Sequence, residues 1–227
     1  AKQHHLNLES FAWISLGSEG RSEQTIATDQ DNALIYMDSE ASQKSHYLAF
    51  ANDVNQALDA CGYPLCKGNI MASNPELCIS QQEWLERFAR WIEQGNPEDL
   101  LNASIFFDFR ALAGNESLLE PLREYVVKRA EATPRFIKLL VENSLQWKVP
   151  FNWFGSLETK DLDGKQIIDI KLQGTAIVVD CARIYSLANG ISAVNTRERL
   201  AAIGRALNLD EAESLAWIAA FEYLQTL

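Results

Sequence analysis

The sequence predicts an α/β chain: an N-terminal α/β part to about residue 75, then a helical part interrupted by one hairpin. Three observations carry this. Residues 11–16 and 32–36 are short, almost wholly apolar runs that read as buried strands. Most of the remainder is punctuated by helix signals, with apolar residues at three- and four-residue spacing between caps and glycines. Asp161-Leu-Asp-Gly164 sits between short extended pieces as a turn signal, so a hairpin is expected within 149–171.

The elements follow in order. The run at 11–16 ends at Gly17, and a polar connection with Gly17 and Gly20 leads to the second run. Residues 42–60 read as a helix whose apolar face holds Tyr47, Phe50, Ala51, Val54 and Leu58, with Gly62 at its end. Residues 64–72 are short, apolar and expected to be extended. Ser80-Gln-Gln-Glu83 is a capping box ahead of Trp84, Leu85, Phe88, Trp91 and Ile92, with Gly95 as the stop. Asn96-Pro97 opens the next helix, expected to carry Ile105, Phe106, Phe109 and Leu112 and to end at Gly114. Helices are expected over 116–130, 133–147, 175–188, 196–207 and 210–227, the last opened by Asp210 with Glu213. The expected domains are therefore 1–75 and 76–227. The tryptophans at 13, 84, 91, 147, 153 and 217 read as core.

Composition narrows the function. The 227 residues carry 20 basic and 31 acidic side chains, a net charge of −11. That balance disfavours a general nucleic-acid partner, which needs cationic neutralisation of phosphates. No apolar run approaches the roughly 20 residues that span a bilayer, and no signal-peptide pattern is present. The four cysteines form no C-x-x-C pair, as in a cytoplasmic protein with reduced thiols. The chain begins without methionine and stops within helical periodicity, which is the pattern of a domain cut from a longer protein.

The segment that carries chemistry is Gly17-Ser18, then ten residues, then Asp29-Gln30-Asp31 running into the second strand. Residues i and i+2 of an extended chain share a face, with Cα atoms roughly 6.5–7 Å apart. Asp29 and Asp31 can thus converge on a hard cation such as Mg²⁺ while Gln30 points away. Two such cations about 3.5–4 Å apart clamp the attacking and leaving oxygens of a phosphoryl displacement. The Gly-Ser turn offers backbone N–H groups and a hydroxyl to phosphate oxygens. Arg21 can add a charge-assisted bidentate contact.

Gly17-Ser-x-Gly20-Arg21-x-Glu23 followed by the run from Thr28 to Ile35 resembles the nucleotidyltransferase domain of unknown function 294. That family belongs to the DNA polymerase β-like nucleotidyltransferase superfamily and is related to the PII-protein uridylyltransferase and the glutamine synthetase adenylyltransferase. Met71-Ala-Ser-Asn74, the run from Phe106 to Arg110 with Gly114, Asp169-Ile-Lys171 with Gly174, and the run from Asn195 to Leu200 extend the resemblance over almost the whole chain. It implies a small mixed sheet followed by a helical bundle. It also implies Mg²⁺- or Mn²⁺-dependent transfer of NMP, uridylyl or adenylyl, from a nucleoside triphosphate to an acceptor hydroxyl, on a protein. Asp29 and Asp31 match the metal-binding acids, and Gly17 and Ser18 the phosphate-contacting turn. Arg21 and Glu23 match the family's G-R-x-E, with Arg21 expected at the phosphates and Glu23 orienting it. The superfamily supplies a third carboxylate from a later strand. Residues 64–72 hold Lys67 but no acid, so Asp108 is the replacement candidate and Glu76 the weaker one. Asp169 and Lys171, expected to alternate on a strand, could approach the nucleotide.

Family members are often bacterial signal-transduction proteins in which this domain follows cyclic-nucleotide-binding and paired CBS sensor domains. A second reading follows from the same residues: a regulatory module that binds a nucleotide, or relays a signal, without chemistry. The position of a third carboxylate relative to Asp29 and Asp31 separates the two.

Overall fold

The computed structural model describes residues 4–25, 28–151 and 156–227, and the side chains of these except Lys160 and Leu162. The chain forms two compact units, Ala1–Arg129 and Ala130–Leu227.

The first unit is built on a four-stranded mixed sheet. Strands β1 (Phe11–Ser15), β2 (Asn32–Tyr36), β3 (Cys78–Ser80) and β4 (Arg110–Gly114) lie in the order β3-β2-β1-β4. β1 pairs antiparallel with β2, from Phe11 opposite Tyr36 to Ser15 opposite Asn32. β1 also pairs antiparallel with β4, with a bulge between Trp13 and Ile14, and β2 runs parallel to β3. The period-two alternation of strand side chains places Phe11, Trp13, Leu34 and Tyr36 on one face. There they pack with Tyr47 and Ala51 of α2 (Lys44–Ala60), and Phe50, Val54 and Leu58 close over them. Tyr36 and Tyr47 stack at 4.9 Å. Ala12, Ile14, Ala33 and Ile35 alternate with this set and are fully buried.

α3 (Gln81–Gln94) starts at the expected capping box: Ser80 Oγ accepts from Glu83 N, and Glu83 accepts from Ser80 N. It ends at Gly95 in the left-handed region, φ 60°. α4 (Pro97–Phe106) opens on a second such box between Asn96 and Asp99. Trp84, Phe88 and Trp91 of α3 join Phe106, Phe107 and Phe109 in one aromatic cluster. α5 (Glu120–Glu131) follows.

Four expectations need correction. The helix opening at Pro97 stops at Phe106, and the run from Arg110 to Gly114, with Leu112, is β4. Helical spacing continues through it, but pairing with β1 wins, as tertiary context routinely overrides propensity. Residues 64–72 form no strand, with a turn at 67–68, and the strand beside β2 is β3. The boundary at 75/76 cuts the sheet, since β3 and β4 both lie beyond it. Of the tryptophans, Trp13, Trp84 and Trp91 are buried, whereas Trp147 and Trp217 are 38% and 36% exposed; Trp153 lies outside the described residues.

The second unit comprises α6 (Pro134–Ser144), a hairpin of β5 (Lys160–Leu162) and β6 (Lys165–Ile167), α7 (Ala176–Ala188), α8 (Thr196–Ala206) and α9 (Glu211–Thr226). Asp161 Oδ1 accepts from Gly164 N and closes the expected hairpin turn. Successive helices pack on one another around Val179, Ala182, Leu200, Ile203 and Phe221. Asp169 and Lys171 do not alternate on a strand. Asp169 accepts from Leu172 N at the start of a helical segment, and Lys171 begins a π-helical turn, Lys171–Thr175, that runs into α7. Here the reason is local: hydrogen bonds onward from Asp169 commit this stretch to the helix it precedes.

Among the described residues no helix is long and apolar enough to cross a membrane.

Candidate functional site

Buried amides set the direction of the acid pair. Gln30 and Asn32 are 3% exposed. Gln30 donates to the carbonyls of Asn55 (3.0 Å) and Tyr63 (2.8 Å), and Asn55 donates to Gln30 Oε1 (2.7 Å) and Asn32 Oδ1 (3.0 Å). The backbone is fixed as well: Gln30 N donates to Pro64 O, Asn32 N to Ile70 O and Leu16 N to Asp31 O. With the even positions committed to α2, the odd ones turn the other way. Asp29 is exposed and Asp31 half-buried. Gln30 is tied to α2, whereas Asp31 faces the turn at Gly17.

Asp31 faces the turn after β1. Gly17 stands at φ +54°, and a Cβ there would lie 3.8 Å from Asp31 Oδ2. The short helix α1 (Gly17–Gly20) follows, closed by Arg21 N on Gly17 O and Glu23 N on Ser18 O. Gly17, Ser18 and Asp31 are therefore neighbours, as the spacing of the two motifs implies. The Cys66 thiol hydrogen-bonds to Asp31; burial above all, with the Asp31 charge adding to it, pushes the thiol pKa up against the backbone N–H groups of Ile70 and Gly68.

Arg21 and Asp108 occupy different roles from those expected. Arg21 Nε contacts Glu23 Oε2 at 2.7 Å, and Nη1 contacts Asp108 Oδ2 at 2.8 Å. The side chains of Arg21, Glu23 and Asp108 are only 11%, 6% and 0% exposed. Glu23 does hold Arg21, but the guanidinium reaches the segment leading into β4. Beside it, a Cβ on Gly20 would lie 2.0 Å from the Asp108 carbonyl oxygen, so only glycine permits this approach. Arg110 adds a further tie by donating to Glu19 O at 3.0 Å. Asp108 is thus a partner of Arg21 rather than a third metal acid. Glu76 is exposed and pairs with Arg87 at 2.9 Å, away from any such role. Lys67 is exposed on its turn, and Lys171 is exposed in the second unit.

Glu19 is a residue the sequence reading missed. Burial raises its carboxyl pKa; Arg110 opposes the shift and the charge of Asp31 reinforces it. The only signal was its place inside the Gly-Ser-x-Gly turn. Among the described residues no three Asp, Glu, His or Cys side chains gather as a metal-ligand group. The chain itself offers Asp29 and Asp31, oxygen donors suited to Mg²⁺, and the remaining positions on such an ion are of the kind that waters and substrate phosphates fill.

Beside Asp29 and Glu19 a cleft of 380 Å³ opens over β1 and β4, with Phe11, Trp13 and Phe50 among its walls.

A mixed sheet with a Gly-Ser turn at one strand and an acid pair entering the next defines a nucleotidyltransferase-type domain. The family model described as "putative nucleotidyltransferase DUF294" matches residues 1–98, and that described as "putative nucleotidyltransferase substrate binding domain" matches residues 134–227. The chain belongs to this nucleotidyltransferase family. No curated protein and no solved structure matches it.

Proposed function

We propose that the first unit binds a nucleoside triphosphate and transfers its NMP group to an acceptor hydroxyl on a protein, with the second unit holding the acceptor. The observation that carries this is the placement of Asp31 against the Gly17 turn, which joins the two halves of the motif in one place. Asp29 and Asp31 would hold Mg²⁺ or Mn²⁺, and the bound cation supplies neutralisation of triphosphate charge. The backbone of Gly17 and Ser18 receives phosphate oxygens. Arg21 acts on the turn through Asp108 and Glu23. The acceptor hydroxyl gives up its proton to water as its oxygen attacks the α-phosphorus in line, the bond from that phosphorus to the bridging oxygen breaks, and pyrophosphate leaves with the electron pair.

Uridylyl or adenylyl transfer within a bacterial signalling protein, with cyclic-nucleotide-binding and CBS sensor domains on the same longer chain and a cytoplasmic setting, belongs to this proposal. A second reading is favoured by one observation. Asp108 is committed to Arg21, and no third acid joins Asp29 and Asp31 in a ligand group among the described residues. On that reading the domain binds a nucleotide and regulates without transfer.

Incubation with α-labelled ATP, UTP, GTP and CTP, Mg²⁺ or Mn²⁺ and a lysate of the source cell separates them. Label on protein that disappears in Asp29→Ala/Asp31→Ala supports transfer. Label that persists in the double variant contradicts the acid assignment. Nucleotide binding without any label favours the regulatory reading.

A further inference from the structure

We infer that Asn55 of α2 is a positioning residue for Asp31; this rests on the cation-binding reading above and adds what holds the acid in place. α2 turns Tyr47, Ala51 and Asn55 into the protein at four-residue spacing. Tyr47 and Ala51 join the apolar core, whereas Asn55, 1% exposed, carries an amide into it. Burying an amide costs free energy unless its oxygen and its N–H groups find partners. Here they all do, and the partners converge on the segment that carries Asp31.

Backbone donors and acceptors fix which amide atom is which. Ser73 N donates to Asn55 Oδ1 at 3.0 Å and Ala72 N to Asn32 Oδ1 at 2.8 Å, so those atoms are oxygens. The carbonyls of Asn55 and Tyr63 only accept, so the Gln30 atom that meets both is Nε2. Asn55 Nδ2 then has two acceptors, Gln30 Oε1 at 2.7 Å and Asn32 Oδ1 at 3.0 Å. Asn55 thus grips the residue on each side of Asp31. The backbone closes the same clamp: Gln30 N donates to Pro64 O, Asn32 N to Ile70 O and Leu16 N to Asp31 O. Through Ser73, Asn55 also ties down the chain from 64 to 73, whose Cys66 thiol hydrogen-bonds to Asp31. With both neighbours and the facing loop held, the Asp31 carboxylate is kept toward the turn at Gly17. A fully paired buried network of this kind fixes one geometry, which is what a cation ligand needs from the residues behind it.

The test titrates Mn²⁺ into the full chain, alone and with ATP, UTP, GTP or CTP, and reads the free ion by electron paramagnetic resonance. Asn55→Ala, which removes the amide, is expected to weaken Mn²⁺ binding about tenfold or more. Ala51→Gly is the control: it loosens α2 one turn away and leaves the amides in place. It is expected to lower the urea midpoint, as Asn55→Ala does, and to leave Mn²⁺ affinity unchanged. Adding Asn55→Ala to Asp31→Ala is expected to cost no further affinity, because a positioning residue acts only through the residue it positions. Circular dichroism establishes folding, and Asn55→Ser, whose shorter side chain lacks the amide, is read in place of an Asn55→Ala that does not fold. If folded Asn55 variants bind Mn²⁺ as wild type does, if Ala51→Gly weakens binding equally, or if the loss persists without Asp31, the positioning role is overturned while the acid assignment stands. If the wild-type chain binds no Mn²⁺ under any of these conditions, or Asp31→Ala binds it unchanged, the acid assignment fails and the positioning role fails with it.

Discussion

Arg21, Glu23 and Asp108 form the tightest polar unit around the candidate site. Two buried carboxylates on one guanidinium leave no cheap way to remove a member. Asp108→Ala leaves Arg21 with Glu23 but removes its fully buried partner, and leaving a buried donor short of a partner costs about 1–3 kcal/mol. Urea titration should show a loss of that order, whereas Lys67→Ala, on an exposed turn, should show almost none. Gly20→Ala should also destabilise, by roughly 1–3 kcal/mol, because the methyl group meets the Asp108 carbonyl and the turn must shift. The pH dependence has a definite sign at Glu19. Burial raises its folded-state pKa above the unfolded value, so its favourable contribution is present below the unfolded pKa and is lost as pH rises through the folded one. Glu19→Gln should therefore gain stability relative to wild type as pH increases from 4 to 7, read from thermal melts across that range. Cysteine chemistry divides in the same way. Burial, assisted by the charge of Glu83 and opposed by Lys44, pushes the Cys78 thiol up to about 12, whereas Cys61 is exposed. Alkylation of the native protein near pH 8, followed by mass spectrometry, should label Cys61 and leave Cys78 unmodified.

At the scale of elements, local chemistry explains most of what the sequence made legible. Ser80 with Glu83, Asn96 with Pro97, and Asp161 with Gly164 are short-range signals whose hydrogen bonds form within a few residues, and the structure contains each of them. The burial of Gln30 was legible in a similar way, its amide now tied to Asn55 and Tyr63. β4 was not. The residues from Phe106 to Gly114 keep a helical spacing of apolar side chains, and pairing such as that of Arg110 with Ser15, 95 positions earlier, makes Arg110–Gly114 a strand. The role of Asp108 was hidden by the same long separation, because its partner Arg21 lies 87 positions away. Glu19 was invisible because its shifted pKa comes from burial and from neighbours that only the fold brings near. The aromatic cluster of α3 and α4 gives a direct check on packing. Phe88 is 2% exposed and touches Trp84, Trp91, Phe107 and Phe109. Phe88→Ala should cost about 3–5 kcal/mol in chemical denaturation.

For the molecule as a whole, net charge and function bear on each other. A chain with a charge of −11 repels a free triphosphate at long range, and the candidate site adds Asp29, Asp31 and Glu19 to that field. On the proposed reading, a divalent cation between the acids and the phosphates offsets that repulsion. The measurement that tests this most directly is calorimetric titration of ATP, UTP, GTP and CTP into the full chain, with Mg²⁺ and with EDTA, for wild type and for Asp29→Ala/Asp31→Ala. The assignment predicts binding of at least one nucleotide in Mg²⁺, and at least tenfold weaker binding of it both in EDTA and in the double variant. Binding of equal strength in all three conditions would contradict it.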